Sequence, residues 1–349
     1  MNSRILGKGL KVSPVGLGCM GFSHGYGRAT EEKEAERLIR EAYDLGYTYF
    51  DTAEVYGTPD DPHHNEKLVG NALAGIRDKV VISSKFGLAF DLASGKVPYP
   101  LIPDARPETI RHSVEHSLKR LKTDHIDLYF QHRIDPKVPP EEVAGVMADL
   151  IQEGKITHWG ISEANEDYLR RANAVCPVTA VQNRYSMMAR QYESLFPVLE
   201  ELKIGFVAFS PMANGFLTGK YGKNQHFDGS VDYRAAMPQF TDEAVAQNQA
   251  LLKLIGDIAE EKGATSAQIS LAWMLNKKPW IVPIPGSRKP ERMKENFGAS
   301  AIKLTADEVK KIDAALEQVG MSAVFGGSTI EKKIRKIERY DQFKPSGAD

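Results

Sequence analysis

Four side chains in this sequence have the types needed to place a proton on a carbonyl oxygen. Asp51, Tyr56, Lys85 and His132 each stand at, or just beyond, the end of a β-branched or aromatic run. Tyrosine is a weak acid, with a reference pKa of about 10. A neighbouring ammonium favours its phenolate, and a carboxylate can hold that ammonium in place. Tyr56 would then be a general acid, with Lys85 beside it and Asp51 orienting the lysine. His132 would polarise the same oxygen or fix its direction. Singly, each residue has a plainer reading: Asp51 and Lys85 as a structural ion pair, His132 as a satisfied core histidine. Their gathering at one place is what makes a site. A second cluster, Ser287, Arg288, Lys289 and Arg292, surrounds a helix start at Pro290. Free N–H groups and the helix dipole favour anions there.

The elements that would position these residues alternate. Strand-like runs occupy residues 14–19, 47–52, 80–86, 126–132, 156–162, 179–185, 204–210 and 281–286. Between them, Ala35, Leu38, Ile39, Ala42 and Leu45 follow helical spacing, with Gly46 as the stop. Ile110, Val114, Leu118 and Leu121 form a second stripe; Val143, Val146, Met147, Leu150 and Ile151 form a third. Thr305 and Glu308 have capping-box spacing at the head of a further helix. Eight strands alternating with helices predict parallel βα units closing into a (β/α)8 TIM barrel, an α/β fold. ILGKGLKVS before the first strand predicts an N-terminal β-hairpin under the barrel. The whole of 1–349 reads as one barrel domain ending in a tail, 321–349, in which EKKIRKIER suits a solvated helix. In such a barrel the strands' C-terminal ends share one face, where function resides.

Composition narrows the class. The 349 residues are 42% hydrophobic and 26% charged, with a formal net charge of −1, an ordinary globular balance without a basic footprint for nucleic acid. No run of about 18 apolar residues offers a membrane span. Cys19 and Cys176 are too few for a disulfide framework and suit a reducing, cytoplasmic setting.

Two motifs mislead. GLGCMG, residues 16–21, has the spacing of a Rossmann dinucleotide turn, which requires a helix to open at the third glycine. FSHGYGRA follows instead, and the helix pattern begins only near Thr30. His112-Ser113-Val114-Glu115-His116 spells an inverzincin-like H-x-x-E-H. That face lies about 200° from the buried stripe of the same helix, so a solvated polar face is predicted and no metal. His63 and His64 read as a loop pair.

GYTYFDTAEVYG, VVISSKF, IDLYFQHRID, GISEA, AVQNRYS, FSPMANGFLTGKY and IPGSRKPERMKENF, in that order, resemble the aldo-keto reductase superfamily. The overall style resembles bacterial and plant reductases that read IPG after strand eight. The resemblance implies NADPH (NADP+) held in extended form without a Rossmann turn, and reduction of aldehydes or ketones. It implies Asp51, Tyr56, Lys85 and His132 as the catalytic tetrad, with Tyr56 as proton donor. Ser162 and Gln182 match the grip on the nicotinamide carboxamide, Phe209 the ring that stacks on it, and Ser210, beside Pro211, the contact with the phosphate bridge. Ser287, Lys289 and Arg292 match 2′-phosphate contacts, Glu295 and Asn296 lie near the adenine, and Gly18, Cys19 and Met20 contact the nicotinamide and its ribose. Three positions depart from the pattern. Glu163 stands where asparagine is common, Phe209 where tyrosine is common, and Gly286 where IPKS has lysine, so one phosphate charge passes to Arg288 or Lys289. Phe22, Tyr26, Phe86, Phe90, Arg133, Tyr185, Met212 and Phe216 predict an apolar, aromatic-lined pocket for a small carbonyl substrate. Arg133 would recognise a carboxylate or pair with Asp135. The resemblance also implies that the tail, 321–349, covers the substrate pocket, and it leaves an alternative function, an NADPH-binding regulatory subunit with little turnover.

Overall fold

The alternation of strand and helix is realised nearly run for run. The computed structural model describes residues 3–58, 60–94 and 100–325. Strands β1 (Arg4–Leu6) and β2 (Leu10–Val12) form the opening antiparallel hairpin. Then come β3 (Leu17–Gly18), β4 (Tyr49–Asp51) and β5 (Val81–Phe86). Strands β6 (Leu88–Phe90) and β7 (Leu101–Pro103) make a second hairpin, which the sequence pattern did not mark. The series ends with β8 (Ile126–Gln131), β9 (Ile156–Ser162), β10 (Ala180–Arg184), β11 (Gly205–Phe209) and β12 (Ile281–Pro283). Outside them lie α1 (Glu32–Asp44), α2 (His64–Leu73), α3 (Pro107–Leu121), α4 (Pro140–Gln152), α5 (Glu166–Val175) and α6 (Phe196–Leu202). Five more follow: α7 (Asp242–Gln247), α8 (Gln249–Glu261), α9 (Ser266–Lys277), α10 (Pro290–Gly298) and α11 (Ala306–Gln318).

Omitting the two hairpins, the strands pair in parallel in the order β12-β11-β10-β9-β8-β5-β4-β3. The sheet curls until its edges meet: the Gly16 N–H donates to the Pro283 carbonyl oxygen at 2.9 Å. The seam is backbone against backbone. A Cβ on Gly18 would lie 2.8 Å from the Ile284 carbonyl oxygen, and one on Gly286 2.9 Å from the Gly18 carbonyl oxygen. Only glycine permits that approach.

Two apolar layers follow from strand alternation. Tyr49, Leu128, Phe130, Ala180, Val207 and Val282 fill the barrel, and Leu6, Leu10 and Val12 of the first hairpin plug its lower end. Phe50, Ile82, Tyr129, Ile161 and Phe206, offset by one, pack outward against the helices. The helix stripes read from the sequence are the buried faces: Ala35, Leu38, Ile39 and Ala42 in α1, and Ile110, Val114, Leu118 and Leu121 in α3. Thr305 and Glu308 form the capping box of α11.

Neither decoy motif has the surroundings its pattern requires. After β3 the next α-helix starts at Glu32, so no helix N-terminus meets GLGCMG. His112 and His116 stack on each other at 4.0 Å on the solvent side of α3. His63 and His64 sit at the start of α2, where His63 Nδ1 meets the Glu54 carbonyl and His64 Nδ1 meets Ser23 Oγ. No group of three potential metal ligands occurs among the described residues. No described helix is long and apolar enough to cross a membrane. Of the 321–349 tail, residues 321–325 are described and the EKKIRKIER stretch lies outside the described residues.

Gly286→Ala should lower stability by about 1–3 kcal/mol, the usual cost of overpacking. Urea unfolding would measure it; an unchanged midpoint would mean that the seam is looser than the backbone contacts indicate.

Candidate active site

Two clefts of similar size open at opposite ends of the barrel, so chemistry distinguishes them where volume does not. The lower, of about 500 Å³, lies beside the first hairpin. Its half-buried cation, Arg4, is spent on the Leu275, Lys278 and Ile281 carbonyls. The upper cleft, of about 470 Å³, contains Asp51, Tyr56 and His132.

Strand parity puts them there. Two residues beyond the inner apolar layer lie Asp51 after Tyr49, His132 after Phe130, Gln182 after Ala180 and Phe209 after Val207. Lys85 pairs with Phe130, and Ser162 with Gln182, so both share the inward face.

Lys85 is 1% exposed. Its Nζ lies 2.6 Å from Asp51 Oδ1 and donates to the Thr52 carbonyl at 2.7 Å. The same nitrogen is 4.8 Å from the centre of the Tyr56 ring. Burial is the largest single influence and works to lower the lysine's pKa, but the Asp51 charge, joined by Tyr56 and the hydrogen bonds to both, carries the ammonium above its ordinary value. The second oxygen of Asp51 accepts from Ser83 Oγ at 2.7 Å and Gln182 Nε2 at 2.8 Å.

His132 stands edge-on to Tyr56, with ring centres 5.7 Å apart. Burial, reinforced by the Arg133 and Lys85 charges, pushes its pKa well below the usual imidazole range. It is therefore neutral at physiological pH. Its Nδ1 has no partner among the described residues. A second imidazole, His24, also meets the Tyr56 ring edge-on at 5.5 Å. Nothing in the local sequence pattern marks His24.

Behind the loop that carries Tyr56, Glu54 enters a buried cluster. Arg120 Nε donates to Glu66 Oε2 at 2.6 Å, and its NH2 lies 4.0 Å from Glu54 Oε2. Ser84 Oγ also donates to Glu66. Two carboxylates thus face one guanidinium. Burial first, then the Glu66 charge, pushes the Glu54 carboxyl up to about 8.

From the tetrad, the cleft extends past Gly18, Met20, Ser162, Phe209, Ser210, Pro211 and Met212 to Ser287, Lys289, Arg292, Glu295 and Asn296. Arg288 borders it, but its guanidinium is committed to the Tyr26 and Arg28 carbonyls at 2.5 and 2.7 Å. Lys289 and Arg292 form no ion pair among the described residues, and flank the first turn of α10.

A family model described as "Aldo/keto reductase family" matches residues 14–317. The chain belongs to the aldo/keto reductase family. A probable aldo-keto reductase 1 from Glycine max is 39% identical over 322 residues, covering 92% of this chain and 89% of that protein. A glycerol dehydrogenase from Gluconobacter oxydans superposes with a TM-score of 0.80 at 29% identity, covering 92% and 97% of the two chains. An aldo-keto reductase from Bacillus halodurans, in its holo form, gives 0.71 at 27%, covering 93% and 98%. As a member of the family, this protein is an oxidoreductase of carbonyl groups that works with a nicotinamide cofactor.

Against that background, several side chains read as pocket lining lie elsewhere in the reductase. Phe86 and Tyr185 are one residue out of phase with Lys85 and Arg184, so they turn outward and are fully buried. Tyr185 stacks on Trp273 at 5.3 Å and donates to Glu193. Phe22 and Phe216 are core as well. Phe90 belongs to the second hairpin, against His63. Cys19 is out of phase with Gly18 and fully buried, and desolvation raises its thiol's pKa. Tyr26, Arg133 and Met212 do line the cleft. Arg133 faces Glu163, with Nε 3.6 Å from Oε2, and NH1 reaches Ser162 Oγ at 3.3 Å. Asp135 instead receives the Ala105 and Lys137 N–H groups. The aperiodic 213–237 segment adds Asn214, Lys220, Tyr221 and Arg234, making the lining more polar than the sequence suggested.

A carboxyl whose folded pKa is raised from 4.5 to about 8 leaves the native state holding an extra proton between those values. Stability therefore falls as pH rises through that window and levels off above it. Glu54→Gln, which keeps the neutral shape, should remove that part of the slope and raise stability at pH 8 to 9. Urea midpoints from pH 5 to 9 would test this; parallel curves for the two proteins would contradict it.

Proposed function

We propose that this reductase converts aldehydes and ketones to alcohols with NADPH, and that Tyr56 is the proton donor. The observation that carries this reading is the buried Lys85–Asp51 pair set against the Tyr56 ring, beside a neutral His132.

The cleft suits an extended dinucleotide. At the tetrad end it offers the Phe209 face and the Ser162 hydroxyl, already engaged by Arg133. At the far end the cationic Lys289 and Arg292 lie with Ser287 at a helix N-terminus, a donor set that favours a 2′-phosphate. Gln182 would act mainly by bracing Asp51, because its amide N–H is already given to that carboxylate.

When bound, the cofactor supplies a hydride to the carbonyl carbon. Tyr56 gives its hydroxyl proton to the carbonyl oxygen, which completes the alcohol. Lys85 stabilises the phenolate left behind, and Asp51 keeps the ammonium from turning away. Neutral His132 donates an N–H to the same oxygen without placing a second positive charge beside Lys85. Tyr26, Met20, Met212 and Arg133 border the substrate's approach, so a small carbonyl compound with an apolar body fits the lining.

Tyr56→Phe should lower NADPH consumption with an aldehyde panel at least about 100-fold. NADPH affinity, read by fluorescence titration, should be retained. Tight binding without turnover by the unaltered protein would support the regulatory-subunit reading instead. Lys289→Ala and Arg292→Ala should each raise the KM for NADPH about tenfold, the usual value of a charge-assisted hydrogen bond. Their KM for NADH should be unchanged; equal losses with both cofactors would remove the 2′-phosphate assignment.

A further inference from the structure

Arg184 is the last residue of β10, directly beside Phe209 in register on β11. It is 8% exposed. Its guanidinium carbon lies 4.9 Å from the centre of the Phe209 ring and 4.9 Å from that of Phe325. The planar cation is thus layered between two aromatic faces. Its NH1 also lies 3.5 Å from Glu163 Oε1, in the residue that follows Ser162. One guanidinium therefore touches Phe209, whose ring borders the cleft, and Glu163, which directly follows the cleft residue Ser162.

Phe325 does not arrive there loosely. Ser322 exchanges two hydrogen bonds with Asn248, at 2.7 and 3.0 Å. Val324 is buried in the outer core. The Phe325 N–H donates to Oε1 of the fully buried Gln239 at 3.1 Å. Yet the Phe325 side chain remains 39% exposed, so apolar burial alone does not account for its placement. What it covers is the outer face of Arg184.

We propose that Arg184, clamped by Phe325 of the C-terminal segment, is a positioning residue that presents Phe209 to the nicotinamide and holds Glu163, and with it the Ser162 strand end, in place. This rests on the cofactor site proposed above. Without the Phe325 face, the arginine loses one of the two rings that layer it, and Phe209 loses part of its rigid backing. The C-terminal segment therefore acts on cofactor affinity and leaves the proton-donating chemistry alone.

The experiment compares full-length Phe325→Ala, Phe325→Leu and Phe325→Tyr with the unaltered enzyme. NADPH affinity is read by fluorescence titration, and kcat and KM from an aldehyde that the unaltered enzyme reduces. Phe325→Ala should weaken NADPH binding about three- to tenfold, the scale of a partly desolvated cation–aromatic contact. Its kcat at saturating NADPH should be unchanged, and its melting temperature no lower than that of Phe325→Leu. Phe325→Tyr should restore affinity and Phe325→Leu should not, because leucine covers area but has no ring face. Arg184→Met combined with Phe325→Ala should cost less than the two separate losses added together. Unchanged affinity in Phe325→Ala, or full rescue by leucine, overturns the clamp while leaving the reductase reading intact. Failure of the unaltered enzyme to bind NADPH at all overturns both.

Discussion

Taking an ammonium out of water costs several kcal/mol unless an anion goes with it. Much of the upper barrel is organised around meeting that cost at Lys85. Asp51 supplies the charge, Thr52 a carbonyl, and Ser83 and Gln182 satisfy the second carboxylate oxygen. These partners come from β4, β5, β10 and the loop after β4. The ion pair therefore constrains strands on opposite sides of the barrel, in addition to holding a charge beside Tyr56. Removing either partner strands the other charge in a dry site, which is why neither residue is free to vary independently. The same positive charge helps keep His132 neutral, so the protonation states of Lys85 and His132 are linked.

The rim above this pair carries backbone strain. Glu163, Ser210, Ala213 and Asn214 all have positive φ without being glycine. Such conformations cost of order 1–3 kcal/mol each and persist only where surrounding structure dictates them. Here the surrounding structure is evident: the Glu163 N–H is bound by Asn183, Asn214 donates to the Tyr26 hydroxyl, and Arg288 draws the loops after β3 and β12 together. Loops from distant parts of the chain thus hold one another in place over a rigid barrel.

The departures from the family pattern acquire physical content in this setting. Gly286, at the position of the lysine in the IPKS pattern, sits at a seam with no room for a Cβ. Arg288 is already committed to loop carbonyls, so at the proposed 2′-phosphate site the cations are Lys289 and Arg292. Glu163 lies between Arg133 and Arg184, 3.6 and 3.5 Å from them, so its charge is balanced within the site. Phe209 lacks a tyrosine hydroxyl but has a guanidinium against its ring.

β-branched and aromatic runs, the helical stripes between them and the glycine-spaced ILGKGLKVS segment were enough to predict eight parallel βα units, the hairpin below them and the strand-end positions of Asp51, Lys85 and His132. Those features are local: a strand's parity and a helix's buried face are written in consecutive residues. The same parity, applied one residue further, would have removed Phe86 and Tyr185 from the substrate pocket. Only the folded chain decided the rest. The Arg288 tie to Tyr26 and Arg28, the approach of His24 to Tyr56, the Glu54–Glu66–Arg120 cluster and the Phe325–Arg184–Phe209 stack join residues far apart in sequence through aperiodic loops. Their partners are selected by closure of the barrel and by the need to satisfy buried charge, and neither leaves a periodic trace in the amino-acid order.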